Sequence, residues 1–368
     1  MKLTCQRGSL ISAFQVVSGV VPTRTTRDIL KNVKLQVEQG VATLMGTDTE
    51  IGIRYQLSDV DTDSAGEILL PTSRVISILR ELSGDTVEFD VADSIVQLKS
   101  GGSRFKLSLE DPSEYPDVPE FHGEDYFTMS GHTLKKMIKR SIFAADDEST
   151  RYALGGVLVE FQREKVTFAA TDSRRLAVIE TTCGVHGDVP AKLNPVVPRK
   201  AMNLIERSVS DDDQEVKIAI HGNDILVKSN NSTIYSRLVE GRFPNFRDVL
   251  PKGSDKIIEM VAAPFYASVR QSQIVTNDES RGVDFQFSEG TATLKSKAAE
   301  VGESTIELPV SYTGGEVAIM FDPRYVADFL KVLEPEAAIQ LKLISSNEPA
   351  MFQAGDDYSY VVMPLARD

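Results

Sequence analysis

The strongest constraint on this chain is internal repetition. The stretch from Arg151 to Ile179, RYALGGVLVEFQREKVTFAATDSRRLAVI, alternates through Val157, Val159 and Phe161, breaks at the polar Gln162–Lys165 and resumes at Val166. Side chains on a strand point to opposite faces with period two, so this pattern predicts a hairpin. It occurs earlier at Val33–Tyr55, VKLQVEQGVATLMGTDTEIGIRY, and more loosely at Val283–Ser304, VDFQFSEGTATLKSKAAEVGES. Val37, Phe161 and Phe287 fall at matching places, 124 and 126 residues apart. A solenoid unit runs to roughly 20–50 residues, so a period this long predicts whole domains in tandem.

Each repeat divides into two similar halves, a strand and an amphipathic helix followed by further strands. In the first, MKLTCQ is followed by a helix over Gly8–Gly19 with Leu10, Phe14 and Val17 on one face. EILLP then precedes the helix TSRVISILREL, with Val75, Ile78, Leu79 and Leu82 inward and Thr72 or Ser73 as N-cap. FTMSGHTLKKMIKRSIFA and NPVVPRKAMNLIERS repeat this, as do KIIEMVAAPFYASVRQSQIV and EVAIMFDPRYVADFLKVL. Proline-bearing joins at Asp111–Asp125 and Glu240–Asp255 block both helix continuation and interior strand pairing. The expected fold is α+β, with three tandem domains over 1–124, 125–253 and 254–368, each two helices packed on antiparallel sheets.

Charge placement says more than net charge. A formal −14 argues against a partner rich in phosphate, which needs Lys and Arg. Yet the six expected helices together carry +10, leaving −24 for the rest of the chain. Helices sharing one face would offer a basic surface to a polyanion, with acid elsewhere. The competing reading is that Lys and Arg are simply good helix formers on solvated faces. No apolar run approaches the ~20 residues that span a bilayer, and the start MKLTCQRGSL lacks a signal-peptide core, so a cytoplasmic protein without a membrane partner is expected. Cys5 and Cys183 lie in different repeats and build no disulfide framework.

The motifs of catalysis are missing. The sequence has neither a G-x-x-x-x-G-K-[ST] phosphate loop nor a Rossmann glycine fingerprint. His122, His132, His186 and His221 are scattered, and no Cys/His spacing suits zinc. Asp146-Asp147-Glu148 and Asp211-Asp212-Asp213 are acidic runs of the kind that is ordinarily solvated in loops. Ser173 lacks a G-x-S-x-G elbow and a recurring His partner. No catalytic residue, metal or cofactor is expected. An enzyme of nucleotide or phosphate chemistry built on Asp146–Glu148 and a purely structural scaffold are the competing function classes; the first requires metal-dependent turnover, the second indifference to a polyanion at any salt.

The triplicated architecture, TDSRRLAV at Thr171–Val178, GRFPNFRDVLP at Gly241–Pro251 and the terminal YVVMPL at Tyr360–Leu365 resemble the bacterial DNA polymerase sliding clamp family, the beta subunit of the replicative polymerase. The resemblance spans the whole chain. It implies a chain that forms half of a head-to-tail homodimeric ring, its basic helices facing encircled duplex DNA without sequence readout. It implies a processivity factor without chemistry of its own. Its expected partners are the polymerase catalytic subunit, an ATP-driven clamp loader and repair proteins that carry a clamp-binding motif. Tethering to a ring turns polymerase rebinding into an intramolecular event, with effective concentrations on the order of mM.

Carried over position by position, the resemblance implies a peptide cleft of Leu154, Thr171, Ser173, Arg174, Arg175, Leu176, Pro244, Val249, Val361, Met363, Pro364 and Leu365. DNA-facing candidates are Arg24, Arg74, Arg151, Tyr152, Arg199, Lys200 and Arg207. Lys135, Lys136, Lys139 and Arg140 join them on charge alone. Ring closure would set Phe105 and Leu107 against Ile274 and Val275, with Arg74 or Arg104 near acidic partners. Three departures stand out. Ala153 replaces a second aromatic after RY, Ser173-Arg174 stands where Gly-His is common, and the tail ends in Ala366-Arg367-Asp368, which bears on peptide preference.

Overall fold

The computed structural model describes residues 1–38, 40–57, 60–146 and 152–366, with Tyr152 described in its backbone alone. Arg151, the Tyr152 side chain, Asp147, Glu148, Arg367 and Asp368 therefore lie outside the described residues.

Repetition in the sequence becomes repetition in the hairpins. Val37 pairs with Ala42, Phe161 with Val166 and Phe287 with Ala292, the same step in each copy. All three of the marker side chains are buried. Every strand pairing among the described residues is antiparallel, as expected for chains that return through short turns. Six α-helices are described: α1 Arg7–Val17, α2 Thr72–Glu81, α3 Gly131–Ser141, α4 Arg199–Ser208, α5 Ala262–Ser272 and α6 Pro323–Lys331. Their apolar stripes are inward where the periodicity puts them: Leu10, Phe14 and Val17 on α1, Val75 and Leu79 on α2. Ile78 is only half-buried. The expected N-cap of α2 is corrected: Pro71 occupies that position, and the Thr72 hydroxyl instead donates to the Lys31 carbonyl at 2.7 Å. At α6 the Asp322 side chain does cap, accepting from the Arg324 amide at 3.0 Å ahead of Pro323.

The chain packs as two compact units, and both draw on the middle repeat. The first comprises Met1–Lys135, Gly184–Val189 and Lys200–Leu238; the second comprises Lys136–Cys183, Pro190–Arg199 and Val239–Asp368. Within the first, a five-stranded sheet ends at the edge strand Ser103–Ser108. Its nine-stranded sheet places Ser232–Arg237 of the middle repeat directly against Ile51–Gln56 of the first. Within the second unit, Arg175–Thr182 of the middle repeat pairs with Tyr358–Val362 of the third. A four-stranded sheet, from Gly302–Pro309 to Val317–Phe321, completes it. These shared pairings satisfy backbone groups that a lone repeat would leave at open sheet edges.

The second unit is built around aromatic rings. Phe329 stacks on Tyr360 at 5.1 Å between centroids, and Phe265, Phe285, Phe321 and Phe352 complete a chain of ring contacts. Tyr358 and Tyr360, both fully buried, keep a hydrogen bond: the Tyr358 hydroxyl donates to the Arg140 carbonyl at 2.7 Å and that of Tyr360 to the Tyr325 carbonyl at 2.9 Å. Without those acceptors each hydroxyl would cost about 1–3 kcal/mol in burial.

Candidate functional site

Strand register builds an apolar floor in the second unit. Leu176 sits between Thr171 on one neighbour and Val361 on the other, and Val361 pairs onward with Met351. One row further, Leu158, Ala169 and Val178 lie side by side, with Val196 opposite Leu158. Positions two apart share a face, so these rows form one surface. Ala153, Phe243 and Phe246 join it in a single buried cluster, with Val239, Leu250 and Met351 packed at its margin. Cluster member Ala153 is fully buried, so the departure from a second aromatic at this place falls in the core.

The charged turn at one end of the floor is held by its own side chains. The Thr171 hydroxyl accepts from the Ser173 amide at 3.1 Å and donates to the Arg175 carbonyl at 2.6 Å. Asp172 accepts from the amides of Arg174 and Arg175, both at 3.0 Å. Ser173 adopts φ 72°, a left-handed conformation that this bonding stabilises. Arg175 is committed within the fold. It pairs with Asp172 at 3.0 Å and Asp328 at 2.5 Å, donates to the Phe143 carbonyl at 2.8 Å and lies 4.6 Å over the Tyr325 ring. Arg174 is exposed. Its carbonyl accepts from the Met363 amide at 2.8 Å, which carries the tail past the end of its strand.

The join after the middle repeat lies over the floor as a strap. Phe243 and Phe246 are buried and Leu250 is half-buried, while Pro244 and Val249 face solvent. Val249 is 46% exposed and Met363 41%, each within three residues of a cluster member, Phe246 and Val361. Leu154, Pro364 and Leu365 are half-buried. The Leu365 amide donates to the Met320 carbonyl at 2.8 Å, tying the tail to the four-stranded sheet. Of the anticipated cleft residues, Leu176 and Val361 are the buried floor, and Val249, Met363, Ser173 and Arg174 the exposed margin.

The basic candidates divide by what they already hold. Arg24, Arg74, Lys139 and Arg207 are exposed. Lys135 donates to the Val209 carbonyl at 3.2 Å, Lys136 pairs with Asp357 at 3.4 Å and Lys200 pairs with Asp48. Arg140 lies 5.2 Å over the Tyr358 ring, and Arg199 donates to the Ala145 carbonyl at 3.5 Å. Of the ring-closing candidates, Phe105 is 37% exposed on the edge strand Ser103–Ser108 and Ile274 is 76% exposed after α5. Arg104 is exposed beside Phe105, and Leu107 and Val275 are half-buried.

Three family models match the chain in succession: the N-terminal domain of the DNA polymerase III beta subunit over residues 1–119, the central domain over 128–245 and the C-terminal domain over 247–366. The beta sliding clamp of Pseudomonas aeruginosa is 32% identical over 370 residues, covering 99% of this chain and 100% of the relative. That of Escherichia coli K12 is 31% identical over 368 residues, with the same coverage. This chain belongs to the DNA polymerase III beta subunit family. The solved structure of the Pseudomonas aeruginosa subunit matches it with a TM-score of 0.91 at 31% identity, covering both chains completely. The Bacillus subtilis DNA polymerase sliding clamp does so with 0.92 at 25% identity, again over both whole chains.

Beta sliding clamps are non-catalytic processivity factors, and this chain is accordingly a DNA sliding clamp of replication, with three tandem clamp domains. Among the described residues no helix is long and apolar enough to cross a membrane. Sequence reasoning missed part of the clamp's apolar floor. Leu158, Ala169, Val178, Val196, Phe243, Phe246, Leu250 and Met351 were not singled out. The alternation of the Val157–Phe161 run carried the signal for Leu158, since it marks two faces and both are buried here. Nothing local marked Met351, which reaches the floor through pairing with Val361.

Proposed function

We propose that two copies of this chain close head-to-tail into a ring around duplex DNA, and that the floor beneath the strap receives linear peptide segments of replication and repair proteins. The carrying observation is an apolar cluster around Leu176 and Val361 with Val249 and Met363 left exposed at its margin. An apolar slot with a few polar groups beside it suits an extended peptide. Leu154, Thr171, Ser173, Arg174, Pro244, Pro364 and Leu365 complete the cleft. Arg175 contributes by fixing the turn, since its guanidinium already has four partners. In support, the Pseudomonas aeruginosa sliding clamp binds griselimycin, so a clamp of this family takes a ligand.

In this reading the domains divide at 1–124, 125–253 and 254–368, and the protein works in the cytoplasm. Arg24, Arg74, Lys139 and Arg207 attract phosphates without reading bases, a contact that lets the ring move along the duplex. Arg151 and Tyr152 belong to the same proposal. Lys135, Lys136, Arg140, Arg199 and Lys200 act by adding to the field, because each already has an internal partner. Phe105 and Leu107 on an edge strand meet Ile274 and Val275 of a second copy, with Arg74 and Arg104 at the rim. The catalytic subunit of the polymerase, an ATP-driven loader and repair proteins compete for the cleft.

Two measurements test this. The solution mass should be about twice 40.4 kDa, and a monomer at micromolar concentration would contradict ring closure. Protein loaded on closed circular DNA should be lost when the circle is cut; equal retention on linear DNA would exclude topological binding.

A further inference from the structure

Glu160 is a carboxylate where the surrounding face would favour a hydrocarbon. It follows Leu158 by two positions on the strand Gly156–Gln162, so it continues the floor's own face toward the strap. It is 3% exposed. Gln162 donates to its Oε1 at 2.6 Å, and Lys192 Nζ lies 3.3 Å from the same oxygen. Its Oε2, buried without a hydrogen bond among the described residues, has Arg247 Nη2 at 2.6 Å as its ion-pair partner. Arg247 belongs to the strap, in the short turn Phe246–Asp248, and its guanidinium also lies 4.5 Å over the Phe246 ring. One residue on either side of Arg247–Asp248 stand Phe246, buried in the floor, and Val249, exposed at its margin.

A buried ionised group persists only where it is paired and hydrogen-bonded, and removing its partner leaves an uncompensated charge. Here the partner is a residue of the segment that walls the floor. Anchoring by a fixed charge holds the strap in one place, and a wall already in place avoids the ordering cost of forming it on binding.

We propose that Glu160 is a positioning residue for the peptide cleft, acting through Arg247 to fix the strap that carries Phe246 and Val249. This rests on the cleft reading given above. It adds a buried determinant, one that touches no peptide, to the residues that line the slot.

The experiment uses the full-length protein and a fluorescein-labelled peptide spanning the clamp-binding motif of the polymerase catalytic subunit. Arg247→Ala removes a half-exposed side chain and so spares the core; Glu160→Gln removes the buried charge. Each should weaken peptide binding by about tenfold, the cost of re-ordering a freed side chain or two of the strap on binding. The double variant should be no weaker than the worse single one, and Arg247→Lys should recover part of the loss. Amide exchange in the free protein should accelerate in residues 243–250 and stay unchanged in the strand Arg175–Thr182. Wild-type affinity in Arg247→Ala, additive losses in the double variant, or unchanged exchange in the strap would each overturn the assignment. If the wild-type protein itself bound no peptide while strap exchange still rose in Arg247→Ala, the cleft reading would fall and the anchor alone would stand.

Discussion

Two seams in this molecule are built to one plan and end differently. In each, a Thr-Asp-x-x-x turn closes a hairpin whose second strand pairs with the last strand of another repeat. Thr47 and Thr171 make the same bonds: each hydroxyl donates to the carbonyl four residues on, at 2.8 and 2.6 Å. Thr49 and Ser173 both take positive φ, and Asp48 and Asp172 each accept from the amides two and three residues on. The Arg237 amide donates to the Glu50 carbonyl as the Met363 amide donates to that of Arg174. By register Gly52 occupies the place of Leu176, and Tyr235 that of Val361.

The contrast lies in what fills that common frame. In the first seam Gly52 leaves room that Val118, from the join after the first repeat, occupies; a Cβ there would come within 2.8 Å of the Val118 side chain. Val118 is buried, and its carbonyl accepts from Arg54 at 3.2 Å. The margin is an ion pair, Arg237 with Glu50 at 3.4 Å, and nearby lies a polar cavity of about 300 Å³ bordered by Arg54, Glu120, Lys228 and Asn231. In the second seam the margin is Met363 and Val249, both exposed. The chain plugs one seam with its own residues and leaves apolar surface showing at the other. Backbone identity thus sets the frame, and a few side chains decide whether it is closed.

Substitutions can break that comparison. Leu176→Ala should have the largest effect, a loss of about 2–5 kcal/mol in stability by removal of a buried side chain. Denaturant unfolding would register it, together with weakened peptide binding; an unchanged affinity would remove Leu176 from the cleft. Gly52→Val forces a side chain onto Val118 and should cost about 1–3 kcal/mol by overpacking. Peptide affinity should not change, and a loss there would show that the first seam takes part in binding. Arg54→Ala releases the Val118 carbonyl and the Glu120 carboxylate, paired at 2.5 Å. It should cost about 1 kcal/mol, with faster exchange confined to residues 112–122.

The smallest effect is expected from pH. Burial pushes the Glu160 carboxyl up, but Arg247, Gln162 and Lys192 outweigh it and hold its pKa below the ordinary value. A depressed folded pKa contributes stability that is present above the unfolded value of about 4.3 and fades as pH falls through the lower folded one. Strap exchange should therefore be flat from neutrality to about pH 5 and rise only below about pH 4, a dependence that Glu160→Gln abolishes. Exchange that already rises between pH 7 and 6 would mean another group controls the strap.

Much of this was legible in the chain. The period of 124 to 126 residues gave the hairpins, whose marker residues Val37, Phe161 and Phe287 are all buried. Apolar stripes gave the helices because their signal is local, repeating every three to four residues. The turn at Thr171–Arg175 was marked only through the resemblance carried by TDSRRLAV, although its bonds span at most four residues. The Thr72 cap was misread because a carbonyl 41 residues away, on Lys31, outcompetes the helix for that hydroxyl.

By itself, then, the sequence determined the threefold repeat, the helices and hairpins within it, and the segments that bear the candidate cleft. Only tertiary structure decided that the middle repeat lends strands to two units, that Val118 fills the space over Gly52, and that Arg247 finds Glu160. Those pairings join residues 66 to 187 positions apart, and spatial meetings at that separation leave no periodic trace in a single chain. They arise because open strand edges and buried charges must find partners wherever the fold provides them.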